Sequence, residues 1–180
     1  MRERDMRASF DASLPHRVDR ASRVKLQNII PAHWFSAAAS ECAGMYIAGY
    51  FYGAIFVAQG YIEALSKFLA EHHCVRLGKG NEERCRRLHK KGFLSQAALE
   101  AALAVLDRRN DFHHLNRDVP QEYDQLQLRA EQCINHLHTI ESEIFAYSFS
   151  DQPGNVALEN PEYWPSHEAG MAQVHLRQLW

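Results

Sequence analysis

The chain has 180 residues, enough for one domain with a sizeable core, and its composition excludes a collagen-like rod and wholesale disorder. With 20 basic against 22 acidic residues the formal charge is −2, so a polyanionic partner has to be met by a local basic patch rather than by the whole surface. Cys42, Cys74, Cys85 and Cys133 form no CxxC pair, which argues for reduced thiols in a cytoplasmic protein and against a disulfide scaffold or a zinc site.

Residues 1–30 read as a charged leader without a sustained period. The opening MRERDMRASFDASLPHRVDR has no apolar h-region, so no secretory signal is expected. Pro31 is placed to open a helix at AHWFSAAASE, and a long apolar helix is expected to follow from about 42 to 73. Between Glu41 and Glu63 lie 21 uncharged residues, CAGMYIAGYFYGAIFVAQGYI, long enough to span a bilayer and holding a small-xxx-small pair, Gly49 and Gly53. The stretch is rich in Gly, Ala, Tyr and Gln rather than Leu and Ile, and it runs into the amphipathic EALSKFLAEHH. A buried central helix is therefore expected rather than a membrane span. Ile47, Phe51, Ala54, Ala58, Tyr61, Leu65 and Phe68 step by four and three along it, while Met45, Tyr52, Ile55, Phe56 and Ile62 keep its other faces apolar.

The helix is expected to end near Gly78 and Gly80, and RLGKGNEERCRRLHKKG from Arg76 to Gly92 carries seven Lys/Arg against two Glu. Ser95 then supplies an N-cap, flanked by Leu94 and Leu99 at the spacing of a hydrophobic staple. A helix SQAALEAALAVLDRRNDFHH is predicted from there, with the stripe Leu99, Leu103, Leu106. Asn116, Asp118 and Pro120 stop it, and a last long helix is predicted over about 120–149. Its seam is Leu126, Ala130, Cys133, Leu137, Ile140, Ile144 and Tyr147. No alternating strand pattern competes. Residues 150–180 read as an arm with turn dipeptides and a short possible helix, MAQVHLRQLW. Tyr163, Trp164 and Trp180 argue that the arm packs on its own bundle or on a partner chain. The expectation is an all-α antiparallel bundle of four to six helices over 31–149, with the leader before it and the arm after it.

The densest chemistry lies in RRNDFHHLN, residues 108–116. On an ideal helix, residues four apart lie about 40° apart and residues five apart about 140°. Arg109 should thus share a face with His113 and point away from His114. For Arg109 and His114 to act on one substrate, either the helix breaks there or two copies meet so that each contributes across an axis.

The segment R-N-D-F-H-H resembles the Rx4-6H motif of the HEPN superfamily (higher eukaryotes and prokaryotes nucleotide-binding domain). There the motif closes a helix of an α-helical bundle and a polar residue, often Asn, follows the arginine. The resemblance in helix order covers roughly residues 40–149. On it, Arg109 matches the motif arginine, Asn110 the polar residue and His114 the histidine. Arg108 with His113 or His114 fits the same spacing, and Asn110 filling the polar slot favours Arg109.

What the resemblance implies is a metal-independent endoribonuclease that acts as a homodimer with a composite site, needs no cofactor, and serves as a toxin, with a possible antitoxin partner, or in antiphage defence. Arg109 would stabilise the scissile phosphate, His114 would act as acid or base on the 2′-hydroxyl proton, and Asn110 would orient the pair. The basic residues Arg84, Arg86, Arg87, Lys90 and Lys91 are candidates for RNA phosphates. Two alternatives stay open: a polar helix end that merely complements the helix dipole, and a non-catalytic bundle that binds a protein or a nucleotide. Eleven histidines raise a metal reading, but the chain has no ExxH, HExxH or HxxxH, so no metal site is expected.

Overall fold

The computed structural model describes residues 2–31, 33–117, 119, 122–149, 156–164 and 174–176. They form an all-α antiparallel bundle. Its central helix, α3 (Phe51–His72), packs against α2 (Ser36–Ala48), α4 (Asn81–Lys90), α5 (Gln96–Leu106) and α7 (Tyr123–Ile144). α3 is apolar on several faces because it is covered on several sides: Ala54, Ile55, Ala58, Tyr61, Ile62, Leu65 and Leu69 are all buried. Gln59 is buried among them, and its Nε2 donates to Val105 O of α5 at 3.2 Å, so a polar side chain fixes the pairing of two helices. On α7 the expected seam holds from Ala130 through Cys133, Leu137, Ile140 and Ile144, all buried. Ser95 caps α5 as read, its Oγ accepting from Ala98 N at 3.1 Å, with Leu94 and Leu99 in the core.

Among the described residues no helix is long and apolar enough to cross a membrane. The uncharged stretch is not one helix either. α2 ends at Ala48, Gly49 takes φ +92° and its N–H donates to Tyr46 O, and α3 starts afresh at Phe51. A side chain there would be strained by φ and would also meet Tyr123 Oη, 2.8 Å from where a Cβ would sit.

Several boundaries differ from the sequence expectation. Arg2–Arg23 is a helix, α1, and not an irregular leader. Its support is electrostatic: Glu3 and Asp5 in the first turn, Arg20 and Arg23 in the last, and ion pairs Glu3–Arg7 (2.8 Å) and Asp19–Arg23 (2.9 Å). Arg20, buried, anchors it by donating from Nε to Ile47 O at 2.9 Å. Pro31 does not open a helix. It ends a short strand, β1 (Ile29–Pro31), which pairs antiparallel with β4 (Val174–Leu176), so at least that part of MAQVHLRQLW is strand and not helix. α3 stops at His72, at the expected bound of about 73 and ahead of the glycines at 78 and 80, with Cys74 in the left-handed region. α7 stops at Ile144, and Tyr147 lies in β2 (Tyr147–Phe149), paired antiparallel with β3 (Val156–Leu158). Each short strand satisfies backbone that the helical pattern leaves over.

The arm packs on its own bundle where it is described. Tyr163 and Trp164 are buried, Tyr163 O hydrogen-bonds His33 Nε2 at 2.7 Å, and Tyr163 Oη hydrogen-bonds His73 Nε2 at 2.6 Å. Trp180, Asp118 and Pro120 lie outside the described residues.

Candidate active site

The predicted helix through RRNDFHH is cut before its motif. Arg129 of α7 reaches over the end of α5 and donates from Nη2 to Ala104 O (2.7 Å) and Asp107 O (3.0 Å), satisfying carbonyls that a continuing helix would have used. Arg108 then adopts φ +54°, ψ +23°, and a single helical turn follows, α6 (Arg109–His113). Asp111 holds the turn together: its carboxylate accepts from Arg108 Nε at 3.0 Å and from Asn116 Nδ2 at 2.9 Å. These two bonds, Asn116 first, lower its pKa below the usual carboxylate value.

The break falls on the N-terminal side of Arg109. Residues 109–113 remain one helical turn, so Arg109 and His113 share its inner side and His114, the residue after the turn, is exposed. Arg109 Nη2 lies 2.8 Å from Glu63 Oε2, and Asn81 Nδ2 donates to the same oxygen at 3.0 Å. Glu63 therefore ties α3, α4 and α6 together. His113 lies on Phe56, ring centroids 3.9 Å apart, and Phe112 is buried against Tyr52. Arg109 Nε and His113 Nε2 are buried and without a hydrogen-bond partner among the described residues. Desolvation, and then the Arg109 charge, lower the His113 pKa, with Glu63 opposing. Burial thus favours the neutral form of His113.

Arg108, Arg109, Asn110 and Asp111 line an open pocket of about 510 Å³, closed on the far side by Lys79, Gly80, Asn81 and Glu82 at the start of α4. The geometry brings together neither Arg109 with His114 nor Arg108 with His113: Arg109 and His113 share one side of α6, and Asn110 and His114 are exposed on the turn and just after it. Arg108 faces Asp111. Sequence reasoning missed Glu63 and Asn81. Glu63 was visible only as the charge that ends the uncharged run, an oddly placed acid on an otherwise apolar helix.

The basic block divides. Arg84 is buried at 9 % exposure, and its guanidinium donates to Leu77 O, Glu63 O, Ser66 Oγ and Asn81 Oδ1 at 3.2–3.4 Å. It holds the α3–α4 junction and is not presented to a phosphate, contrary to the sequence expectation. Arg86 faces Glu82 at 3.8 Å on the surface, and Arg87 pairs with Glu83. Lys90 and Lys91 line a second pocket, beyond the C-terminal end of α4. Among the described residues no three His, Cys, Asp or Glu side chains converge on a point that would hold a metal ion.

Compared with family models, with curated proteins and with solved structures, the chain matches none.

Proposed function

We propose that the protein is a metal-independent endoribonuclease of HEPN type, acting as a homodimer whose two α6 turns form one composite site. The observation that carries this reading is the pocket lined by Arg108, Arg109 and Asn110 opposite the start of α4. It is open, polar and wide enough for a phosphodiester, and the exposed His114 follows immediately after the turn that lines it. Arg109 binds the scissile phosphate through a guanidinium already oriented by Glu63. Asn110 orients the strand, and His114 moves the 2′-hydroxyl proton. Because Arg109 and His114 diverge on one turn, the site is completed by the partner's copy. Support for a second chain comes from Tyr50, Leu115 and Tyr123, large side chains exposed around the starts of α3 and α7 and the end of α6, a surface that continues from the turn carrying Arg109 and His114. On this reading the enzyme works in the cytoplasm as a toxin or defence protein, with an antitoxin as a possible further partner.

A second reading is favoured by the ion pair itself. With Glu63 as its acid, Arg109 is a bolt between α3 and α6, and the domain is then a non-catalytic bundle that binds a protein or a nucleotide.

The test is cleavage of an end-labelled mixed-sequence RNA, with EDTA throughout, by wild type, Arg109→Gln and His114→Ala. The nuclease reading expects cleavage by wild type alone. Equal cleavage by all three marks a contaminant. Loss in His113→Ala but not in His114→Ala moves the chemistry to the other register. A folded wild type that cleaves nothing favours the binding bundle.

A further inference from the structure

Beyond the C-terminal end of α4 lies a second pocket of about 470 Å³, lined by Arg76, Arg87, Lys90, Lys91 and Phe93 beside His73, and by no acidic residue. Among the described residues, Arg87 alone of its cations forms an ion pair, with Glu83, which lies a turn back along the helix. Arg76, Lys90 and Lys91 form no salt bridge among the described residues. In a chain of net charge −2, this is a local concentration of positive charge, four cations with Glu83 as the one acid beside them among the described residues.

The pocket also has a rigid aromatic wall. Phe93 stacks on His73 with centroids 3.7 Å apart and planes 9° from parallel, and His73 is fixed in turn by the Tyr163 hydroxyl at 2.6 Å. Cations beside a planar ring are the combination that holds a single nucleic-acid strand: phosphates meet the charges and a base stacks on the ring.

The two pockets lie at opposite ends of one helix and are joined by one loop. Residues 76–80 run beside α4 in the reverse direction. Arg87 Nη1 donates to Arg76 O at 3.3 Å toward the far end, and Lys79 N donates to Glu83 Oε2 at 3.0 Å toward the near end. The ten residues of α4 span about 14 Å at 1.5 Å each. That equals about four nucleotides of stacked strand at roughly 3.4 Å each.

We propose that this pocket is a second RNA-binding subsite, which grips the strand about four nucleotides from the Arg109 pocket through Arg76, Lys90 and Lys91, with a base on Phe93. The inference rests on the ribonuclease reading for its substrate but not for its test, because binding is measured without cleavage. The probe is a fluorescein-labelled mixed-sequence 12-nucleotide 2′-O-methyl RNA, which lacks the attacking hydroxyl, titrated by anisotropy against the full chain at several salt concentrations. Lys90→Gln/Lys91→Gln changes two exposed side chains and is expected to keep the fold. It should weaken binding at least tenfold and flatten the dependence of log affinity on log salt by about 1.4, some 0.7 per lost phosphate contact on a single strand. Phe93→Leu should weaken binding at least fivefold without altering that slope. Lys67→Gln, an exposed cation on α3 paired with Glu71, is the control and should bind as wild type does.

Wild-type affinity and slope in the double-lysine variant overturn the proposal, as does a wild type that binds no RNA. Binding that depends on Lys90 and Lys91 in a protein that never cleaves keeps this subsite and overturns the nuclease reading. Cleavage with no dependence on Lys90, Lys91 or Phe93 does the reverse.

Discussion

Glu63 Oε2 sits 2.8 Å from Arg109 Nη2 and 3.0 Å from Asn81 Nδ2, so one carboxylate from the central helix fixes both the motif arginine and the start of α4. The pair is partly solvated, with side-chain exposures of 31 % for Arg109 and 43 % for Glu63, and solvent weakens such pairs to about 0–1 kcal/mol. Glu63→Gln is therefore expected to lower unfolding free energy by no more than about 1 kcal/mol. On the nuclease reading it also strengthens RNA binding, because the Arg109 charge is no longer neutralised. Urea denaturation and RNA anisotropy on the same preparation check both parts, and weaker RNA binding in the variant would count against a phosphate role for Arg109.

Arg84 behaves differently because it is buried and has four acceptors. Arg84→Ala removes a donor shared by Leu77 O, Glu63 O, Ser66 Oγ and Asn81 Oδ1 and empties the buried space of its side chain at a part-buried junction. The expected loss is about 2–4 kcal/mol, whereas Arg86→Ala, two residues on and exposed, should stay within about 0.5 kcal/mol. Chemical denaturation separates the two, and equal midpoints would mean that Arg84 does not hold the junction.

The turn between α2 and α3 predicts a cost with two parts. Gly49→Ala forces an L side chain into φ +92° and drives its Cβ toward Tyr123 Oη. The backbone part is about 1–2 kcal/mol, and the clash adds to it. In a Tyr123→Phe background the added part should vanish and the backbone part should persist. A double-mutant cycle measures the difference, and strict additivity would show that the hydroxyl does not crowd the turn.

Histidine burial makes stability depend on pH. The His73 pKa is lowered, first by desolvation and then by the neighbouring His72, with Glu162 opposing. A histidine with a lower value in the folded chain than in the unfolded one takes up its proton more readily when unfolded, so protonation opposes folding. Its contribution is complete above the unfolded value of about 6.5 and is lost as pH falls through that value toward the folded one. His113 and His136 are shifted the same way, mainly by burial, and add to the loss. Urea midpoints at three pH values between 7.5 and 5.5 should fall, and His73→Gln should make the fall shallower without abolishing it. A steeper fall in the variant would contradict the assignment.

The sequence by itself determined the helical class. The four-three spacing of Ala130, Cys133, Leu137, Ile140 and Ile144, the N-cap Ser95 between Leu94 and Leu99, and the all-round apolarity of α3 each encode a local structure through periodicity or capping. It also located RRNDFHH and, from helix geometry alone, the common side of Arg109 and His113. Tertiary structure decided where helices stop and what each charge does. α5 ends because Arg129, more than twenty positions later, takes its last carbonyls. α1 forms on charges and on the buried Arg20, which no hydrophobic period announces. The seven cations of the basic block look alike in sequence, yet Arg84 is buried while Lys90 and Lys91 rim a pocket. Glu63 meets Arg109 across 46 positions. Periodicity is a short-range signal carried by neighbours on one helix. The partner of a charge is set by which helices the core brings together, and that is a long-range property of the folded chain.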